Sequence, residues 1–278
     1  MSDDHVYLSL AEGHDDSDAR WAFGTGFEDP LHGVDQTVPD GIDAGELAAY
    51  CLALGDDALV GAQRLAQWCT RAPELEEEVA LANIGLDLLG QARLLYARAG
   101  QVDGTGRGED AYAYFRDADD FRNVRLAELP GGDFAFTITR LLVLSSWRLA
   151  VFERLAVTTP DPVLAAIAAK GVKELTYHRQ YAAEWAVRLG DGTEESRRRM
   201  RDALDGVAPY MDELFTGATA VRDEVLAVLR QVTDAAGLVL PEAAPVPGHG
   251  REGDHTEHLA PLLAELQSVA RAHPEATW

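Results

Sequence analysis

A chain of 278 residues with 47% hydrophobic composition is long enough for one large helical domain or two small ones, with a substantial core. Its 24 basic residues stand against 47 acidic ones, a net charge of −23. That balance argues against nucleic acid and anionic membranes, both of which need a basic footprint.

Lys170 and Lys173 are the sole lysines, so nearly every positive charge is an arginine. Cys51 and Cys69 are separated by eighteen positions on what reads as one helical segment, roughly 27 Å apart by helix rise and too far for a disulfide. Free thiols in a core point to a reducing compartment. Nothing at the start has a signal peptide's charged head and apolar middle. The longest apolar run, Phe134 to Phe152, is interrupted by Arg140 and Arg148. The expectation is a cytoplasmic protein without a membrane span.

Residues 1–40 lack helical periodicity and carry Gly, Asp and Pro throughout; they read as an irregular N-terminal arm, with Trp21, Phe23 and Phe27 available for packing. Residues 41–278 read as a single helical domain. A first helix runs from near Asp43 to about Trp68, with Leu47, Tyr50, Cys51, Leu54, Ala58, Ala62 and Leu65 on one face and Gly55 as an expected kink. A second spans Pro73 to Gly100. Pro73 sits where a missing N–H costs nothing, and Glu74, Glu76, Glu77 and Glu78 load the first turn with the charge a helix N-terminus favours. Its apolar face carries Ala80, Ile84 and Leu94, and the same face carries Asn83, Asp87 and Gln91. A buried carboxylate needs a partner or a metal, so this helix is expected to border a polar site inside a bundle.

GTGRG at 104–108 resembles a phosphate loop in glycine content alone and reads as a connection. Short helices follow over about 109–128. A third long helix is expected from Asp133 to about Ala156, and a fourth from Asp161-Pro162 to Gly190, opened by a cap and a proline at the first helical position. Two more helices fall in 191–237, a loop in 241–253, and a last helix from about Thr256, its expected cap, to His273. No strand-like alternation appears. The class is all-α, a ferritin-like helical bundle with extra C-terminal helices.

A carboxylate-bridged di-iron bundle needs a Glu from each of two helices and Glu-x-x-His from each of the others. Glu174 and His178 are four apart and positioned to bond each other, but residue 175 is Leu, and His178 is the one histidine on the four long helices. Helix one offers Asp57 and Gln63, helix three Ser145 and Ser146. The two-iron set cannot be assembled. Two readings of Asp87, Gln91, Glu174 and His178 stand: a metal site of another stoichiometry, or a hydrogen-bonded network drawing on Lys170, Lys173 or Arg93 that satisfies its own charges, the reading adopted. His255 and His258 have spacing for a metal, but a capped helix start explains them as well.

Three stretches, LGDDALVGAQRLAQWCTRAPELEEEVALANIGLDLLGQARLLY (54–96), AAIAAKGVKELTYHRQYAAEWAVRLGDGTEES (165–196) and HTEHLAPLLAELQ (255–267), resemble the PaaC family, the C subunits of phenylacetyl-CoA epoxidase (ring 1,2-phenylacetyl-CoA monooxygenase). The resemblance covers roughly 45–278, and FRNVRLAELPGGDFAFTITR (121–140) fits it more loosely. It implies a ferritin-like structural subunit without metal ligands, catalytic residues or a cofactor of its own. Such a subunit scaffolds the catalytic A subunit, which carries the di-iron centre, in a complex that also contains a B subunit and an NADPH-dependent iron-sulfur flavin reductase. By position, Asp87, Gln91, Glu174 and His178 would form the vestigial centre, and Ser145 and Arg148 stand where the family can carry an Asp and a His.

Overall fold

The computed structural model describes residues 31–276. Most of the expected N-terminal arm, including Trp21, Phe23 and Phe27, lies outside the described residues; 31–43 are turns and coil. Among the described residues the regular structure consists of nine α-helices and several 3₁₀ turns, with no strand.

Helix α1 (Ala44–Ala66) starts at Asp43, whose carboxylate accepts the Glu46 N–H at 2.9 Å. Helix α2 (Leu75–Val102) begins two residues after Pro73. The pair forms one antiparallel hairpin. Helix α1 runs unbroken through Gly55, where a Cβ would stand 2.6 Å from the Tyr96 ring, so the missing side chain lets the two helices approach. Of the expected face, Tyr50 is not in the core, being 41% exposed, and Cys69, expected as a core thiol on the same helical segment, lies in an exposed turn past the helix end. Cys51 is fully buried, and burial raises its thiol to about 12.

The second hairpin joins α5 (Phe134–Thr158) and α6 (Pro162–Asp191). Asp133 caps the first through the Phe136 N–H, and Asp161 the second through the Leu164 N–H at 2.7 Å. Asp161 also pairs with Arg98 of α2, both side chains being inaccessible, which locks the hairpins together at one end. Helix α5 is apolar and long enough to cross a bilayer by composition, but 83% of its apolar window is buried inside the protein. It is the central core helix of the bundle.

Between the hairpins lie the short α3 (Glu109–Tyr114) and α4 (Arg125–Glu128). Helices α7 (Glu194–Val207) and α8 (Arg222–Ala235) pack on α5 and α6. Helix α9 (Leu259–Ala272) lies along α3, where Gln267 donates to the carbonyls of Ala113 and Arg116 at 3.0 Å. The cap expected at Thr256 is displaced: His258 holds the cap position, and the Thr256 hydroxyl is turned onto Glu128 at 2.6 Å. Residues Val34–Trp278 cluster as one compact unit.

Candidate functional site

Helices α2 and α6 run antiparallel, and the four residues singled out in sequence fall into two rungs one turn apart. His178 Nε2 lies 3.0 Å from Asp87 Oδ2, and Gln91 Nε2 donates to Glu174 Oε2 at 3.0 Å. Glu174 and His178 therefore do not bond each other; each reaches across to α2. Lys170 closes the second rung on the other Glu174 oxygen, whereas Lys173 is exposed and Arg93 instead pairs with Glu109. The Asp87 side chain is 39% exposed, so the expected buried carboxylate is a rim residue, and Asn83 is exposed and takes no part.

The inner end of the network belongs to Arg148 on α5. Its guanidinium donates to Gln91 Oε1 at 3.0 Å and to the Leu54 carbonyl at 3.1 Å, and it stands 3.5 Å from Asp57 Oδ2. Asp57 in turn accepts from the Val124 N–H at 2.8 Å and from Arg251 Nη2 at 2.6 Å. A continuous polar chain thus runs Lys170–Glu174–Gln91–Arg148–Asp57–Arg251, with one member or more from each of the four long helices. Burial pulls the Arg148 guanidinium down to about 10, against the opposing pull of Asp57, and takes Arg140, two turns earlier on α5, to about 9.

Sequence reasoning met Arg148 as an interruption of an apolar run and as a departure from a family pattern, and Asp57 only in an inventory, without connecting the two. The signal that could have found them is the interruption of the most apolar helix by two arginines eight apart. Each needs a polar destination in the core.

This donor set does not fit a di-iron centre. Among the described residues, no three His, Cys, Asp or Glu side chains gather around one point. The bundle axis instead carries a guanidinium, whose charge opposes a metal cation and which already occupies the Gln91 amide oxygen. Ser145 bonds the Leu142 carbonyl of its own helix at 3.3 Å.

His255 and His258 also form no metal site among the described residues. His255 Nδ1 lies 2.6 Å from Glu128 Oε1 and its Nε2 lies 2.8 Å from the Phe121 carbonyl. With Glu128 ionised both partners accept, so this geometry favours the imidazolium form of His255, in which both ring nitrogens donate. Glu128, completely buried, also accepts from Asn123, the Thr256 N–H and the Thr256 hydroxyl.

The family model described as phenylacetic acid catabolic protein, covering PaaA and PaaC, matches residues 35–278. A curated relative, the C subunit of 1,2-phenylacetyl-CoA epoxidase from Escherichia coli (strain K12), is 43% identical across 84% of this chain and 99% of its own length. The chain belongs to the PaaA/PaaC family of phenylacetic acid catabolic proteins.

Proposed function

We propose that this protein is a non-catalytic, cytoplasmic subunit of a multicomponent monooxygenase that epoxidises phenylacetyl-CoA in aerobic phenylacetate catabolism. In this reading it pairs with a related catalytic A subunit that holds the di-iron centre, while a B subunit and an NADPH-dependent iron-sulfur flavin reductase complete the complex. Its likeness to a relative named as the C subunit of such an epoxidase supports the assignment to the complex. The observation that carries the non-catalytic part is Arg148, a buried guanidinium bonded to Gln91 and Leu54 where four helices meet. Asp87, Gln91, Glu174 and His178 then serve as a vestigial polar network that fixes the register of α2 against α6, without chemistry of their own.

The surface supplies a means of pairing. Leu75, Val79 and Leu86 are 71%, 50% and 64% exposed along α2, and Tyr177 is exposed beside the Asp87–His178 rung. An apolar helical face of this kind suits burial against another helical bundle.

The test is metal content of the chain purified alone and after co-expression with the catalytic partner. Iron found only in the co-purified complex supports the reading. One or two equivalents of metal on the lone chain, lost on His178→Ala, would overturn it in favour of an independent metalloprotein.

A further inference from the structure

Residues 246–258, ahead of α9, contain no α-helix, only the 3₁₀ turn Gly250–Glu252, yet charged groups hold them to the bundle at three points. At the first, Arg125 of α4 donates to the carbonyls of Val246 and Pro247 at 3.0 and 2.6 Å, and its partner Glu213 accepts the Gly250 N–H at 2.8 Å. A Cβ at Gly250 would stand 2.1 Å from the Asn123 carbonyl oxygen, so the segment lies directly on the chain leading into α4. At the second, Arg251 gives Nη2 to Asp57 at 2.6 Å and Nη1 to the carbonyls of Ala53, at 2.8 Å, and Arg122. At the third, His255 and Thr256 close on Glu128.

The three fastenings respond differently to pH. Arginine and carboxylate side chains keep their charges through neutrality, whereas histidine does not. The His255 ring stands between two acceptors, Glu128 Oε1 at 2.6 Å and the Phe121 carbonyl at 2.8 Å, an arrangement that suits the doubly protonated ring. Once a proton leaves, one nitrogen is a lone pair facing an oxygen, and that contact must open. The neutral ring keeps its hydrogen on the stronger acceptor, the carboxylate, so the contact that fails is the one to Phe121. Glu128 is not stranded, because Asn123 and both donors of Thr256 remain on it. Phe121 adjoins Arg122, whose carbonyl accepts from Arg251, so the third fastening bears on the second.

The charges acting on the ring are Glu128, which favours its protonated form, and Arg122, which opposes it. From α1, Arg64 bonds the carbonyls of Glu128 and His258. His249, Glu252, Asp254, Glu257 and His258 share the segment, and none of them hydrogen-bonds the ring.

We propose that residues 246–258 form a pH-sensitive strap: protonated His255 latches it to Glu128 and Phe121, and loss of that proton loosens the strap and the grip of Arg251 on Asp57. The closed strap binds the proton more tightly than an open one, so the latch is fully engaged below about pH 6.5 and weakens as pH rises. Arg148 still faces Asp57 when Arg251 lets go, which keeps the opening local. The device lies wholly within this chain and stands whether or not the protein is a subunit of an oxygenase.

Amide hydrogen exchange of the full chain at about pH 6, 7 and 8.5 tests this, each rate being divided by the intrinsic rate at that pH. Protection across 249–258 and 121–128 should fall by up to about tenfold per pH unit above about 6.5, while α5 and α6 keep theirs. In His255→Gln the protection of both stretches should not change with pH. Should that variant not fold, NMR of the parent decides: both His255 ring nitrogens should carry protons at about pH 6, and the loss of one should coincide with the loss of strap protection. Strap protection constant with pH, protection lost equally along every helix, an unaltered pH dependence in His255→Gln, or a His255 ring already neutral at about pH 6 would each overturn the proposal.

Discussion

Asp57 and Arg148 touch each other, yet their removal should cost very different amounts. Asp57→Ala strands Arg148 and Arg251 and leaves the buried Val124 N–H without its acceptor. Removing one partner of a buried pair in this way costs about 3–5 kcal/mol. Arg148→Met leaves Asp57 with Arg251 and the Val124 N–H, so no naked charge remains. The losses are two hydrogen bonds, to Gln91 and Leu54, each worth about 1 kcal/mol net once an orphaned acceptor is counted. Against them stands relief from burying a guanidinium that is 3% exposed and held down to about 10. The expected net is about 0–2 kcal/mol. Guanidinium chloride unfolding with matched slopes measures both, and Asp57→Ala should also melt on the order of 10 °C lower. The double variant should recover part of the Asp57→Ala loss, because it deletes one of the stranded cations. If Arg148→Met proves as damaging as Asp57→Ala, the guanidinium is a net stabiliser and the view of it as a tolerated charge is wrong.

Three further outcomes follow from other parts of the molecule. Gly171→Ala sets a Cβ 2.6 Å from the Phe152 ring, which is 1% exposed and has nowhere to turn, so a loss of about 1–3 kcal/mol is expected by denaturant titration. Burial pulls the His255 pKa down, but the Glu128 carboxylate and the Phe121 carbonyl outweigh it and hold it above the ordinary histidine value. A raised folded pKa means that this stabilisation is complete below about pH 6.5 and is lost as pH climbs through the folded value. Unfolding midpoints should therefore fall more steeply as pH rises above about 6.5 in the parent than in His255→Gln, and parallel profiles would refute the imidazolium assignment. Leu86→Arg, on a residue 64% exposed, should leave the circular dichroism and melting unchanged while abolishing co-purification with the catalytic partner; undiminished co-purification would remove the α2 face from the interface.

The long helices were legible because local chemistry marks them: Asp43, Asp133 and Asp161 each bond the N–H three residues on, and the apolar period runs between these caps. The site was legible only in its outer half. Spacing put Asp87 with Gln91 and Glu174 with His178 on one face of their respective helices, and the family resemblance set the two faces together, but which pairs form depends on the antiparallel register, which spacing within one helix does not contain. The pairing of Glu174 with His178 was expected from their i, i+4 relation and failed because each found a stronger partner across the groove. Asp57 and Arg148 lie far apart in the chain, on the first helix of one hairpin and the first of the other, and meet only after both hairpins close. Thr256 was misplaced for a similar reason, since a buried Glu128 from a distant turn competes for its hydroxyl and wins.

On the function proposed above, these contacts bear on how a bundle could support a catalytic partner without chemistry of its own. A metal centre ties four helices together through shared carboxylates; when such a centre is absent, the register must be held by something else. Here Arg148 bridges α5 to the Leu54 carbonyl of α1 and to Gln91 of α2, and Gln91 passes the connection to Glu174 of α6. Arg148 and Gln91 together thus connect every long helix through bonds that need no ion. The two rungs on α2 and α6 lie next to the exposed Leu86 and Tyr177, so the network that fixes the helix register also fixes the geometry of the apolar face beside it. Loosening the rungs with Gln91→Leu should therefore weaken co-purification with the catalytic partner even though Gln91 is only 1% exposed. An unchanged yield of complex would show that the face keeps its shape without them.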